Sequence, residues 1–214
     1  MKLKSIALTL LAFSLMISGC GKKDLIVHEH ASEALLDFYL ECLEAEKNGE
    51  TVEIMVDGVN RYNTLGFSNV SGMTIADEAE EARMTMEEYR ETFKIPENMP
   101  DDTFMEVAYN LQPVKDVAVS YEMTYEDLKK MYSFPEYIVR KSGEKIPVTE
   151  DLPWGVVCDE LTIENLKMDL EALRKAYGFG EEVTLKTKWK EIRPDIEKKQ
   201  AEKRNENKQK AEVK

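Results

Sequence analysis

The chain has 214 residues, 43% of them apolar, and a formal net charge of −13. That apolar fraction supports a packed core and excludes wholesale disorder. The charge is uneven: from Lys186 onward eleven basic side chains stand against six acidic ones, so the upstream body is near −20 once Lys2 and Lys4 leave with a signal segment. A body this acidic repels polyanions, which argues against nonspecific attachment to DNA, RNA or anionic lipid headgroups.

Lys2 and Lys4 precede an apolar run, residues 5–17, that ends in Ile17-Ser18-Gly19-Cys20. A basic start, an apolar stretch too short to span a bilayer and small residues before a cleavage point describe a secretory signal over residues 1–19. The Ile17-Ser18-Gly19-Cys20 segment resembles the lipobox of bacterial lipoproteins, an apolar residue and two small ones before a cysteine. The resemblance implies cleavage before Cys20 and transfer of diacylglycerol to its thiol. It also implies a palmitate-bearing N-terminus and a body held at the extracytoplasmic face of the cell membrane.

Residues 20–72 read as a tether, a helix and short strands. His28 and His30 are the only histidines, and a His-x-His pair ligates zinc or copper when both rings converge with a further ligand. No third ligand stands at a recognisable spacing, so these two are weak metal candidates and no cofactor is expected. Over residues 31–47, Leu35, Phe38, Cys42 and Ala45 share one side of a helix that Asn48-Gly49 closes. Residues 51–57 alternate as a strand between Asn-Gly and Asp-Gly turns, with residues 25–27 as the nearest partner. A loop over residues 61–72 leads onward.

Residues 73–193 hold three copies of one helical unit, about 73–111, 112–160 and 161–193. Met84-Thr85-Met86-Glu87-Glu88-Tyr89 returns as Met123-Thr124-Tyr125-Glu126-Asp127-Leu128 and as Met168-Asp169-Leu170-Glu171-Ala172-Leu173. Each copy then reaches an aromatic residue (Phe93, Tyr132, Tyr177) and a Pro-Glu or Gly-Glu exit. Upstream, Thr74, Pro113 and Thr162 align; downstream, Phe104 aligns with Pro153 and Trp189, and residues 139–147 are an insertion in the second copy. The expected unit is a short helix, a tight turn, a longer helix and a capped exit. Thr85 with Glu88 and Thr103 with Glu106 have capping-box spacing, and Thr124 with Asp127 is a weaker version. Three such units are expected to share one core, with Leu128, Leu173 and Tyr89 at equivalent buried positions. Residues 194–214 form a charged tail, solvated as a helix or frayed.

The fold class is therefore mainly α, three degenerate two-helix repeats preceded by a helix and a short strand pair. The rhythm of residues 74–93 and 113–134 resembles the helix-turn-helix of DNA-binding proteins, which the leader and the acidic body disfavour. It also resembles the helical pair of LysM modules, which implies binding to peptidoglycan glycan. The units also resemble two-helix repeats of uncharacterised membrane-associated redox proteins, and that resemblance implies an accessory subunit of a membrane redox or transport complex.

Catalytic chemistry finds little footing. There is no Gly-x-Ser-x-Gly elbow and no glycine-rich phosphate loop. Acidic pairs such as Glu80-Glu81, Glu87-Glu88 and Asp101-Asp102 suit solvated helix faces and caps better than a glycosidase. Cys42 and Cys158 either pair or stay as buried free thiols, and their apolar neighbours favour the latter. The reading is a nonenzymatic binding or assembly module at the cell envelope. Its expected contacts are the bilayer, through acylated Cys20, and an envelope protein. Tyr89, Tyr125, Tyr137 and Trp154 are candidate contact residues wherever they are exposed.

Overall fold

The structure, a computed structural model, describes residues 31–65 and 72–212. The leader, Cys20, residues 25–27, His28 and His30 lie outside the described residues. Helix α1, Ala31–Asn48, buries Ala31, Leu35, Leu36 and Phe38 on one side and half-buries Cys42 and Ala45. Gly49, at φ 71°, ends it as only a residue without Cβ does cheaply.

The strand expected over residues 51–57 is shorter. β1, Met55–Val56, pairs with β2, Val59–Asn60, across Asp57-Gly58. Both turn residues have positive φ, 51° and 75°, the two-residue hairpin geometry that Asp-Gly favours. A short 3₁₀ turn, Arg61–Thr64, replaces the start of the expected loop, capped by the Asn60 side chain, which accepts from the Tyr62 amide at 3.1 Å.

The units follow as α2 (Ile75–Glu81), α3 (Met86–Phe93) and α4 (Met105–Leu111), then α5 (Val114–Ser120), α6 (Tyr125–Tyr132) and α7 (Trp154–Glu160), then α8 (Leu170–Tyr177) and α9 (Trp189–Glu212). Between α6 and α7 the insertion forms a second hairpin, β3 (Tyr137–Val139) antiparallel to β4 (Lys145–Pro147).

Three joints recur in every copy. A single antiparallel bridge brings its two ends together, Thr74 with Phe104, Pro113 with Pro153 and Thr162 with Lys188. Arg83, Glu122 and Lys167 take positive φ at the tight turn. Lys94, Ser133 and Gly178 take the left-handed cap at the end of the longer helix. The bridges correct the expected register by one residue: Lys188, not Trp189, is the counterpart of Phe104 and Pro153. Trp189 instead matches Met105 and Trp154, whose amides donate to the equivalent carbonyls of Leu161, Met73 and Gln112.

The third copy departs further. Lys167 lies five positions after Thr162, where Arg83 lies nine after Thr74, so the expected short helix is a single turn. Capping boxes form at Thr74–Asp77 and Thr85–Glu88, and Thr124 accepts from the Asp127 amide at 3.2 Å. The Thr103–Glu106 box does not form. Thr103 is fully buried, its hydroxyl accepts from Asn60 Nδ2 at 3.0 Å, and α4 starts from Phe104 without a side-chain cap.

Equivalent left-handed caps carried by different residues make a testable set. A side chain in this conformation costs energy that glycine avoids. Lys94→Gly and Ser133→Gly are each expected to stabilise the fold by about 0.5–1 kcal/mol, and Gly178→Ala to destabilise it by a similar amount. Urea midpoints check this, and stabilisation absent at both 94 and 133 would contradict the shared geometry.

The expected single core across three units is in fact two. One cluster runs from α1 through the first two units, with Leu128, Val107, Val114, Trp154 and Leu161 at or near zero exposure. The third unit has its own small cluster of Ile163, Leu173, Tyr177, Val183, Ile192 and Ile196. Met168 and Trp189 lie against both. Helix α7 is the hub, packed by α1, α4, α5, α9 and β3. Its Gly155 meets Asn110 so closely that a Cβ there would lie 2.7 Å from the Asn110 side chain.

The boundary expected at residue 194 falls inside α9. Ile196 and Ala201 are buried, the Lys199 ammonium donates to the Tyr177 carbonyl, and Gln200 donates to the Tyr177 hydroxyl at 3.0 Å. Cations at the exposed carbonyl end of α8 complement its dipole. The folded body therefore continues to about residue 203.

Candidate binding surface

The insertion in the second unit builds the most distinctive surface of the molecule. Strand alternation turns Ile138 inward, 5% exposed, and Tyr137 and Val139 outward, 47% and 54% exposed. A loop through Ser142 and Gly143 joins the strands, closed by the Arg140 amide on the Glu144 carbonyl at 2.9 Å. The Lys145 ammonium sits 5.8 Å from the Tyr137 ring centroid.

Arg140 pins this hairpin to α1. Its Nε donates to Glu33 at 3.2 Å, its guanidinium also bonds Asp37, and Nη1 meets Glu144 at 3.1 Å. A cleft of about 320 Å³ there is lined by Leu36, Ile138 and Val156 together with Arg140, Glu160 and Lys190. Its volume is at the small end of ligand pockets.

Glu160 is nearly enclosed and takes Lys188 and Lys190, each at 2.5 Å. Burial alone would raise its carboxyl, but the two ammonium groups outweigh burial and hold it below its ordinary value. Beside it, Asp159 and Arg193 form a buried two-pronged pair at 2.9 and 2.8 Å, and Arg193 also bonds Glu197 at 3.1 Å. These pairs join α7 to α9 across the boundary between the two cores.

The sequence candidates separate clearly. Tyr89 and Trp154 are core residues, 2% and 1% exposed. Tyr125 is half-buried and donates to the Val148 carbonyl at 3.2 Å. Tyr137 alone of the four is exposed. Of the acidic pairs, Glu88 serves a cap, Asp101 bonds Arg90, and Asp102 accepts from Asn60 at 2.8 Å. Cys42 and Cys158 are free thiols. Burial pushes both upward, Cys158 further, with the Asp159 carboxylate adding to the rise. A thiol kept protonated is a poor nucleophile. Around Cys158 cluster Tyr109, Tyr121 and Tyr132, the last pushed up to about 12 by burial. Among the described residues no group of His, Cys, Asp and Glu is arranged to hold a metal ion.

Sequence reasoning missed Arg140 and the Asp159–Arg193 pair, because their partners lie 103 and 34 residues away. The insertion itself was visible as a break in the repeat period and is the signal that marks the hairpin. Comparison with protein-family models, with curated proteins and with solved structures gives no match.

Proposed function

We propose that the chain is a lipid-anchored, extracytoplasmic protein whose body is a noncatalytic binding or assembly module at the cell envelope. The observation that carries this reading is how the polar chemistry is used. Threonines and carboxylates cap helices, Arg140, Arg193 and Glu160 are held in ion pairs between elements, and the thiols stay protonated. What remains outward is contact surface, with exposed apolar residues on two hairpins. The anchor rests on the Ile17-Ser18-Gly19-Cys20 motif. Among the described residues no helix is long and apolar enough to cross a membrane.

A glycan-binding alternative has one observation in its favour. Each helical pair brings its two ends together antiparallel, the topology that flanking strands would need, though with one bridge per unit. The two readings separate when the chain from residue 21 onward is mixed with purified sacculi and with solubilised membrane proteins. The expected result is salt-resistant retention of a specific membrane protein and only weak, salt-sensitive retention on sacculi, through the basic C-terminal segment. Exposed charges there are screened within about 8 Å at physiological ionic strength. Salt-resistant sacculus binding that persists after truncation beyond Lys203 would favour the glycan reading. Truncation nearer the centre of α9 would remove Ile196 and Ala201 from the fold and confuse the result.

A further inference from the structure

We propose that the outer face of the β3–β4 hairpin, Tyr137 and Val139 with Lys141 and Lys145 beside them, rests on the bilayer that holds the anchor. This rests on the lipid-anchor reading above. The hairpin exists only in the second unit, so the repeat architecture does not require it. Its inward residue Ile138 completes the core, yet Tyr137 and Val139 face outward and, among the described residues, stay about half exposed.

Charge distinguishes this face from most of the body upstream of Lys186. Residues 137–147 carry Arg140, Lys141 and Lys145 against Glu144 alone, within a body near −20. Arg140 is spent on Glu33, Asp37 and Glu144, which leaves exposed Lys141 and Lys145 as the outward cations, with Glu136 before Tyr137 as an outward carboxylate. Anionic headgroups repel the acidic body, and Lys141 and Lys145 offset that repulsion at the hairpin. Tyrosine settles at the headgroup level with its ring in the apolar boundary, and flanking lysines meet lipid phosphates.

Chain connection brings the hairpin close to the anchored end of the body. α1 starts at Ala31, and Ser32 and Glu33 of its first turn line the same cleft as residues 138–141, with Glu33 bonded to Arg140. Eleven residue steps separate Cys20 from Ala31, a span of at most about 40 Å when fully extended. The hairpin therefore stands beside the point where the tether enters the body. The other exposed apolar hairpin, Met55, Val56 and Val59, is flanked by Glu50, Glu53 and Asp57, and an anionic surface repels it. Since the acyl chains already hold the protein to the bilayer, the hairpin contact sets the orientation of the body more than its retention.

Hydrogen exchange on the acylated full protein, reconstituted in phosphatidylcholine–phosphatidylglycerol vesicles, tests this against the chain from residue 21 onward in solution. Backbone amides of residues 137–147 are expected to exchange severalfold more slowly on the bilayer. In the Tyr137→Ser, Val139→Ser double variant the slowing should vanish, while Ile138 keeps the hairpin folded. A second arm holds the chain from residue 21 on nickel-chelating lipid in the same vesicles through an N-terminal hexahistidine tag, without the natural anchor. Slowed exchange at 137–147 in this arm supports the surface. Unchanged exchange there, or slowing at residues 55–59 instead, overturns it. An N-terminal peptide without acyl chains overturns the anchor reading alone, because the tagged arm still reads the surface.

Discussion

Asp159→Ala is expected to destabilise the protein by about 3–5 kcal/mol, the cost of removing one partner from a buried ion pair. Asp159 is 1% exposed and Arg193 5%, and their two-pronged contact crosses from the main core to the third unit's own cluster. Glu197 keeps one side of the Arg193 guanidinium satisfied, so the loss falls chiefly on the attachment of α9 to α7. Replacing both partners with apolar residues, Asp159→Leu with Arg193→Met, should recover most of that loss, because no charge is then stranded. Urea unfolding measures the cost, and hydrogen exchange locates it: residues 163–201 should open first in Asp159→Ala. A loss below about 1 kcal/mol, typical of a surface substitution, would contradict the role assigned to the pair. Glu160 gives the same joint a pH dependence. Its folded-state carboxyl lies below its ordinary value, so its stabilising contribution is complete above the usual carboxylate range and disappears as pH falls through the lowered value. Acid is therefore expected to loosen the third unit before the rest.

Leu128→Ala and Leu173→Ala occupy matching positions in the second and third units and should differ in cost. Leu128 is fully buried in the main cluster, where neighbours on several sides cannot collapse into the space. Its truncation is expected near the upper end of the 2–5 kcal/mol range, about 4 kcal/mol. Leu173 sits at 4% exposure in a cluster of six buried residues that relaxes more easily, so about 2–3 kcal/mol is expected. Glu126→Ala and Glu171→Ala, on the exposed faces of the same helices, should stay within about 0.5 kcal/mol. Equal, small effects at all four positions would mean that the units are not packed as described.

The repeat was legible because its signals are local. Thr85 and Thr124 mark helix starts through their own hydroxyls, and Pro96, Pro135 and Gly178 follow helix ends for steric reasons. Helix α1 was equally plain from one apolar side and Asn48-Gly49. The errors fall where a local signal meets a distant partner. Thr103 had the spacing of a cap, but Asn60 had already taken its hydroxyl. The third copy's first helix shrank to a turn, and Trp189 aligned by its aromatic character when backbone pairing selects Lys188. Asp57-Gly58 was read as a boundary of one strand, while its two positive φ values make it the hinge of a hairpin. The tail's composition suggested solvation throughout, but Ile196 follows the buried Ile192 at helical spacing and joins the third core, and Ala201 is buried beyond it. At the candidate surface, Tyr137 was named but Arg140 was not, because nothing near Arg140 in sequence foretells Glu33 and Asp37.

An anchored binding module requires that the mature chain begin at Cys20 with its thiol bearing a diacylglyceryl group, whose two chains at about 0.8 kcal/mol per buried CH₂ suffice for stable anchoring. Mass spectrometry of the N-terminal peptide from the membrane fraction is the direct measurement. The expected peptide starts at Cys20 and carries the mass of the acyl chains, and Cys20→Ala moves the protein from the detergent phase to the aqueous phase. A mature peptide with an unmodified Cys20, or one that retains residues 1–19, would contradict the anchored reading.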